Sequence, residues 1–262
     1  LLQECGGQAL FRAECLATAG TGAQRGGRHT LPRSSPGNCR TEALTECSRQ
    51  VMVAYYAEME RLSLHVLRVL ARSLHVDEDF FDSKIDRHSS NLQVANYSSQ
   101  LEEPTDGLLR VKAHADSGSI TILDREASSE AASGGLEVLN RDGAWVRVPH
   151  RESELLVNLG NLMARWTDGA WVSTKHRVTN PQAGRRTRRL SLAYFQKPNY
   201  DAVCDPRDVL GTRCSGEYRA ARVAELSRVG ILWRLRHMSP QEAAARYHDF
   251  MLTGKDPLAP GQ

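Results

Sequence analysis

Residues 111–118 read Val-Lys-Ala-His-Ala-Asp-Ser-Gly and place a histidine and an aspartate two positions apart, His114 and Asp116. The stretch is predicted to be a β-strand, in which side chains at positions i and i+2 project from the same face. One imidazole and one carboxylate can therefore point at a common position, as two ligands of one metal ion would. The simpler alternative is a strand-end histidine that bonds to a neighbouring carboxylate.

A third candidate ligand, His176, stands at the end of another strand-like stretch, residues 171–175. Two histidines and one carboxylate on one face of an octahedral ion leave three positions open, which is the ligand set of non-haem Fe(II) oxygenases. Zinc favours four-coordinate sites and needs less open space. His114, Asp116 and His176 together therefore predict an Fe(II) site.

The segments around the motif predict a mainly β chain. Short β-type runs follow one another closely, with turn clusters rather than helices between them, which favours an antiparallel sandwich or barrel. The predicted strands are 92–97, 108–114, 119–123, 136–139, 145–148, 155–159, 171–175 and 189–196.

Helices are predicted on both sides of this β region. Apolar residues recur at steps of three and four between Met52 and Val69, which predicts a long helix over 43–76 with one face in the core. The helical period returns at 217–226 and 240–252, within a C-terminal helical segment at 216–252. Residues 1–42 are rich in Gly, Arg, Ser and Thr and are expected to be poorly ordered, with one short helix near 10–18. The remainder, 43–262, is expected to form a single domain with its β core at about 91–197.

Charge, hydropathy and cysteine spacing argue against several classes of protein. A net charge of +3 over 262 residues gives no reason to expect nucleic acid or an anionic membrane as a partner. Residues 51–57 are the longest apolar run, far short of the roughly 20 residues that cross a bilayer. The six cysteines form no Cys-x-x-Cys pair, which indicates free thiols and favours a cytoplasmic protein. A monomer is the default expectation.

Arg189 and Ser191 are again two positions apart on a predicted strand. An arginine and a hydroxyl that point inward together suit one end of a dicarboxylate, because a bidentate charge-assisted pair holds a carboxylate strongly. If Arg189 points inward, the other basic residues of the run 185–189 are most simply solvated loop charges. Binding of nucleic acid at this run is therefore a minor alternative.

Three motifs in this order resemble a known enzyme family. The His-x-Asp pair at 114–116, His176 followed by Arg-Val, and Arg-x-Ser at 189–191 before Tyr194 and Phe195 look like the Fe(II)/2-oxoglutarate-dependent dioxygenases, specifically the isopenicillin N synthase-like branch. The resemblance runs from about residue 55 to 218. Further stretches similar to family motifs are 92–97, 134–138, 143–146, 157–161 and 165–169.

The resemblance implies a double-stranded β-helix, or jelly-roll barrel, in an α+β chain with a supporting N-terminal helix and C-terminal helices. It implies that His114, Asp116 and His176 bind Fe(II). It also implies that Arg189, Ser191 and Tyr97 bind 2-oxoglutarate. With O2, such an enzyme hydroxylates, desaturates or cyclises a small organic substrate and releases succinate and CO2.

The chain departs from the family pattern at several places. Asn161 stands where the family usually has aspartate, Tyr97 is followed by two serines instead of two prolines, and residues 184–186 lengthen the loop between His176 and Arg189. The family's usual N-terminal strand and the segment after it are not found in residues 1–42. Two alternatives therefore stay open: an Fe(II) oxidase of the same fold that does not use 2-oxoglutarate, and a truncated, non-catalytic relative.

Lys112 lies two residues before His114, so on a continuous strand its ammonium would point inward with the metal ligands. A buried cation needs an anion nearby, which would make the substrate a small acid instead of a neutral terpenoid or flavonoid. The alternative is a bulge in the strand that lets Lys112 reach water.

Overall fold

The computed structural model describes residues 3–5, 8–13, 38–99, 108–126, 135–151, 153–181, 188–216, 218–227, 231 and 235–253. For residues 3–5, 8–13, 38–47 and 251–253 it describes the backbone alone. Gly134 of the predicted hairpin and the predicted loop at 184–186 lie outside the described residues.

Antiparallel strands form two main sheets. One sheet has the order β1-β2-β3-β10-β5-β8, the other has the order β4-β9-β6-β7, and β11 pairs with β12. The strands are β1 Gln3–Cys5, β2 Gln8–Ala13, β3 Asn91–Tyr97, β4 Val111–His114, β5 Ile120–Arg125, β6 Leu136–Leu139, β7 Trp145–Arg147, β8 Leu156–Leu159, β9 His176–Val178, β10 Arg189–Gln196, β11 Val203–Cys204 and β12 Ala221–Arg222.

Strands β3, β5, β8 and β10 lie in the larger sheet and β4, β6, β7 and β9 in the smaller one, so the chain crosses repeatedly between two facing sheets, as in the predicted jelly-roll arrangement. The expected α+β class, mainly β with helices, is confirmed. The helices are α1 Asn38–Ser73, α2 Asp82–Ile85, α3 Asn161–Trp166, α4 Arg207–Leu210, α5 Val223–Leu226 and α6 Pro240–Thr253, with a 3-10 turn at Gly211–Arg213.

Helix α1 supports the larger sheet from outside. Tyr56 of this helix contacts Tyr194 of β10 edge to face, with ring centroids 5.3 Å apart. The Tyr56 hydroxyl also donates a hydrogen bond to the backbone oxygen of Ser90. Met59 and Leu67 are buried, but Val69 is 62% exposed. The predicted apolar face is thus correct except at its end, where a 3.6-residue period turns Val69 to solvent and brings Ala71 into the core.

The structure corrects three predicted segments. Residues 171–175 are not a strand, and the strand begins at His176 instead. The predicted helix at 217–226 is replaced, in its described part, by β12 and the short helix α5. The short helix expected near 10–18 is wrong over residues 10–13, because β2 pairs antiparallel with β3 and satisfies its backbone groups in the sheet. The division into a segment 1–42 and a single domain 43–262 stays a prediction.

No helix in the described part of the chain is long and apolar enough to span a membrane.

Candidate active site

The pairing of β4 with β9 brings the two candidate histidine ligands together. His114 is the last residue of β4, His176 is the first residue of β9, and the two are direct cross-strand partners. Residues opposite each other on antiparallel strands have their Cβ atoms about 5 Å apart, so the register alone places the rings side by side. The ring centroids are 4.3 Å apart.

Asp116 reaches this pair from a turn rather than from the strand. Strand β4 ends at His114, so the expectation that both residues lie on one strand is wrong. The turn after β4 is fixed by the junction between β8 and α3. The backbone N–H of Asn161 donates to the Asp116 backbone oxygen at 2.7 Å, and that of Gly160 donates to the Ser119 backbone oxygen at 2.9 Å.

The three side chains form a compact donor set. The Asp116 Oδ1 atom lies 3.9 Å from His114 Nε2 and 3.7 Å from His176 Nε2. All three ligand atoms lie within 4.8 Å of one another. Metal–ligand bonds to nitrogen and oxygen are about 2.0–2.2 Å long, so two ligands of one ion lie up to about 4.4 Å apart, and the spacing of these three atoms is close to what a single ion requires.

Hydrogen bonds fix the orientation of both rings. His114 Nδ1 lies 2.8 Å from the backbone oxygen of Lys112, and His176 Nδ1 lies 3.0 Å from that of Thr174. A carbonyl oxygen only accepts, so Nδ1 carries the proton and Nε2 presents its lone pair to the shared centre. Burial, followed by repulsion from His176, lowers the pKa of His114 and favours its neutral form.

One oxygen of Asp116 is already occupied. Its Oδ2 atom accepts hydrogen bonds from Thr121 Oγ1 at 2.6 Å and from Asn158 Nδ2 at 2.8 Å. Thr121 and Asn158 are cross-strand partners on β5 and β8. The carboxylate therefore offers Oδ1 alone to an ion, which keeps coordination positions open for other ligands. The sequence analysis missed these two residues, although each is a polar residue between apolar neighbours on its strand.

A cavity of about 470 Å³ contains the three candidate ligands together with Arg189, Ser191 and Tyr97. We call it the arginine cavity. Arg189 is 8% exposed and Ser191 is 5% exposed. Both face inward as predicted, because they are two positions apart on β10. The Tyr97 ring lies opposite on β3, and the Arg189 guanidinium sits 4.9 Å from its centroid.

Arg189 is a buried cation without a counter-ion among the described residues. Burial lowers its pKa, but an arginine starts so high that it stays charged at neutral pH. Burial also raises the pKa of Tyr97, so its hydroxyl keeps its proton. Leaving a buried charge unpaired is costly, so the arginine cavity is suited to an anion.

Lys112 does not line this cavity. Its side chain is exposed, and the register between β4 and β9 shifts between Val111 and His114. Of the two alternatives for Lys112, the structure shows the second: an irregularity in the strand breaks the two-residue alternation and leaves the side chain in water, so Lys112 does not project inward with the metal ligands.

The sequence comparison identifies the domain that contains this site. Residues 89–198 match the family model described as the 2OG-Fe(II) oxygenase superfamily. The matched segment contains the three candidate ligands together with Arg189, Ser191 and Tyr97.

Similar proteins agree with this match. A validamycin A dioxygenase from Streptomyces hygroscopicus subsp. limoneus is 39% identical over 162 residues, which cover 60% of this chain and 43% of that protein. A proline hydroxylase from Petromyces alliaceus is 32% identical over 160 residues, covering 58% of this chain and 49% of that one. The chain spans about half the length of these curated relatives.

The fold also matches a solved structure. A full-length protein of Neurospora crassa, crystallised in complex with alpha-KG, superimposes with a TM-score of 0.65 over 87% of this chain and 66% of that chain, at 23% identity. At this identity the likeness shows the fold, and it agrees with the predicted jelly-roll barrel.

Proposed function

We propose that this chain is an Fe(II)- and 2-oxoglutarate-dependent dioxygenase that oxidises a small organic molecule. One observation carries the proposal. The two histidines and one carboxylate oxygen share a cavity with a buried arginine that has no counter-ion among the described residues. The donor set fits iron, and the arginine fits the far carboxylate of a keto diacid.

One set of residues would bind the metal and another the co-substrate. His114 Nε2, His176 Nε2 and Asp116 Oδ1 would hold Fe(II), which supplies the redox chemistry with O2 when bound. With these three protein ligands, the ion would keep further coordination positions for a keto acid and oxygen. In this reaction class, 2-oxoglutarate and O2 give succinate and CO2, and one oxygen atom enters a C–H bond of the substrate.

Arg189, Ser191 and Tyr97 would hold the other end of 2-oxoglutarate. The guanidinium offers a planar fork of donors to the carboxylate, and the Ser191 hydroxyl adds a donor two residues along the same strand. Stacking on the Tyr97 ring limits the positions of the guanidinium before any ligand binds. Such preorganisation reduces the entropy lost on binding.

The metal assignment predicts a specific loss of iron affinity. We expect His114→Ala and His176→Ala each to lose most of their affinity for Fe(II), because each removes one of three protein ligands. The measurement is anaerobic titration of Fe(II) into the purified protein. His237→Ala serves as the control, since His237 is exposed. Equal iron affinity in all three variants would contradict the assignment.

Oxygen uptake with and without 2-oxoglutarate tests the co-substrate. Uptake that depends on 2-oxoglutarate, with succinate released, is the result expected from the proposal. Uptake that is independent of 2-oxoglutarate favours the oxidase alternative. A protein that binds no iron favours the non-catalytic one.

A further inference from the structure

A second cavity, of about 300 Å³, adjoins the arginine cavity. The two share the lining residues Gln93, His114, Asp116 and Phe195. The second cavity is also lined by Lys197, so we call it the lysine cavity. The candidate iron ligands His114 and Asp116 therefore lie between the arginine cavity and the lysine cavity. A small molecule bound to Arg189 would leave the lysine cavity free for a second molecule.

The two cavities lie along one row of inward-facing residues. On β10 and its continuation, Arg189, Ser191, Ala193, Phe195 and Lys197 alternate in steps of two, and all of them line one or both cavities. An extended chain rises about 3.3 Å per residue, so the two ends of this row are roughly 26 Å apart. A five-carbon diacid is about as long as two residues of extended chain, so it cannot bind Arg189 and also reach Lys197.

The lysine cavity has a polar side and an apolar side. Ser89, Asn91, Gln93 and Lys197 supply the polar side, from the beginning of β3 and the end of β10. The C-terminal segments supply much of the apolar side. The apolar lining residues are Leu162, Phe195, Val223, Leu226 and Phe250.

Among the described residues that line this cavity, Lys197 is the one lysine or arginine. Its half-buried side chain begins beside the turn that carries Asp116. A methyl group built on Gly118 of that turn would lie 3.5 Å from the Lys197 Cγ atom. An anionic group bound here would thus gain a charge-assisted contact close to the candidate metal ligands.

We infer that the lysine cavity binds the primary substrate and that Lys197 selects a small carboxylic acid with an apolar body. The inference rests on the proposed function, because the oxidised C–H bond must lie next to the metal. A volume of about 300 Å³ lies at the lower end of the range of ligand pockets, which suits a compact acid.

The test compares acids with their uncharged isosteres. The probes are hexanoic acid, cyclohexanecarboxylic acid and 3-phenylpropionic acid, each paired with its primary amide. Dissociation constants are measured calorimetrically under nitrogen, with Fe(II) and saturating 2-oxoglutarate, so that the arginine cavity is filled and no turnover occurs. We expect the wild type to bind at least one acid about tenfold or more tightly than its amide.

Variants at Lys197 assign that preference to the side chain. Lys197→Met, which is close in length and uncharged, should bind acid and amide alike, and Lys197→Arg should keep the preference. Lys112→Met is the matched control, since Lys112 is exposed and lies outside both cavities. Melting temperatures of all variants confirm that they are folded.

Three results would overturn the inference: equal binding of acids and amides to the wild type, an acid preference that survives in Lys197→Met, and no binding of any probe. The same titrations on metal-free protein separate this inference from the proposed function. A Lys197-dependent preference without iron binding would overturn the enzyme assignment and leave the acid site. If the protein binds iron and 2-oxoglutarate but shows no preference for acids, the inference about Lys197 would be overturned and the enzyme assignment would remain.

Discussion

Each candidate iron ligand has one atom tied to the protein and another directed at the shared centre. The Nδ1 atoms of His114 and His176 meet backbone oxygens, and Asp116 Oδ2 is held by Thr121 and Asn158. Partners of this kind fix the tautomer and rotation of a ligand before metal arrives, and they typically change metal affinity 10- to 100-fold. The site is therefore preorganised by side chains and carbonyl groups that do not themselves touch the ion.

At the scale of single residues, Arg189 should set the affinity for 2-oxoglutarate. We expect Arg189→Ala to raise the Michaelis constant for 2-oxoglutarate by roughly 30- to several-thousand-fold, because a desolvated bidentate contact is worth on the order of 2–5 kcal/mol. Arg189→Lys keeps the charge but loses the fork, so its effect should be intermediate. Steady-state kinetics with varied 2-oxoglutarate provides the measurement.

Arg188→Ala is the control for this experiment. Arg188 precedes Arg189 directly but is exposed, because neighbouring residues of a strand face opposite sides. It should change the Michaelis constant hardly at all. If the two alanine variants behaved alike, Arg189 would not contact the co-substrate.

At the scale of elements, Gly160 lets the turn after β4 pack against the junction of β8 and α3. A Cβ atom added to Gly160 would lie far inside van der Waals contact with the backbone oxygen of Gly118 and 3.0 Å from that of Asp116. The same junction donates the hydrogen bonds that hold this turn. Close backbone approach thus positions the Asp116 carboxylate, and a side chain at Gly160 would push the turn away.

We expect Gly160→Ala to lower the free energy of unfolding by on the order of 1–3 kcal/mol, as overpacked substitutions do, and to weaken Fe(II) binding. Denaturant unfolding and anaerobic iron titration measure the two effects. Gly143→Ala is the comparison. It meets no atom within 4 Å but has a φ of +77°, so it should cost about 1 kcal/mol and leave iron affinity unchanged. Identical iron affinity in both variants would show that the turn is held in some other way.

At the scale of the whole molecule, Asp168 fastens the C-terminal part of the chain to the barrel. Its Oδ2 atom accepts hydrogen bonds from Ser215 Oγ at 2.6 Å and from the Gly216 backbone at 3.1 Å, and its Oδ1 atom accepts one from the Tyr218 backbone at 3.0 Å. The Arg165 guanidinium of α3 lies 4.9 Å from the centroid of the Tyr218 ring. The lysine cavity depends on such contacts, since part of its lining comes from the segment after Tyr218.

This contact predicts a pH-dependent stability. The Ser215 hydroxyl, together with the backbone N–H groups, lowers the pKa of Asp168 below its ordinary value of 3.8. A carboxyl group with a lowered pKa in the folded state stabilises the protein above 3.8, and it loses that contribution as the pH falls through the folded pKa. We expect Asp168→Asn to lower the melting temperature by on the order of a few degrees at neutral pH.

The difference in melting temperature between wild type and Asp168→Asn should stay constant above about pH 5 and shrink below 3.8. Thermal unfolding across this pH range gives the measurement. Asp77→Asn, at an exposed aspartate, should show no such difference. A difference that grew as the pH fell would contradict the assigned role of the carboxylate.

The sequence by itself determined most strands of the barrel, the identity of the three candidate ligands and the inward orientation of Arg189 and Ser191. Those properties are local, because a two-residue period decides which side of a strand each residue faces. Only the tertiary structure decided that His114 and His176 are cross-strand partners, that Asp116 arrives on a turn, and that Lys112 faces water. These depend on register, on irregular pairing and on backbone packing between segments far apart in the chain, which no local pattern encodes.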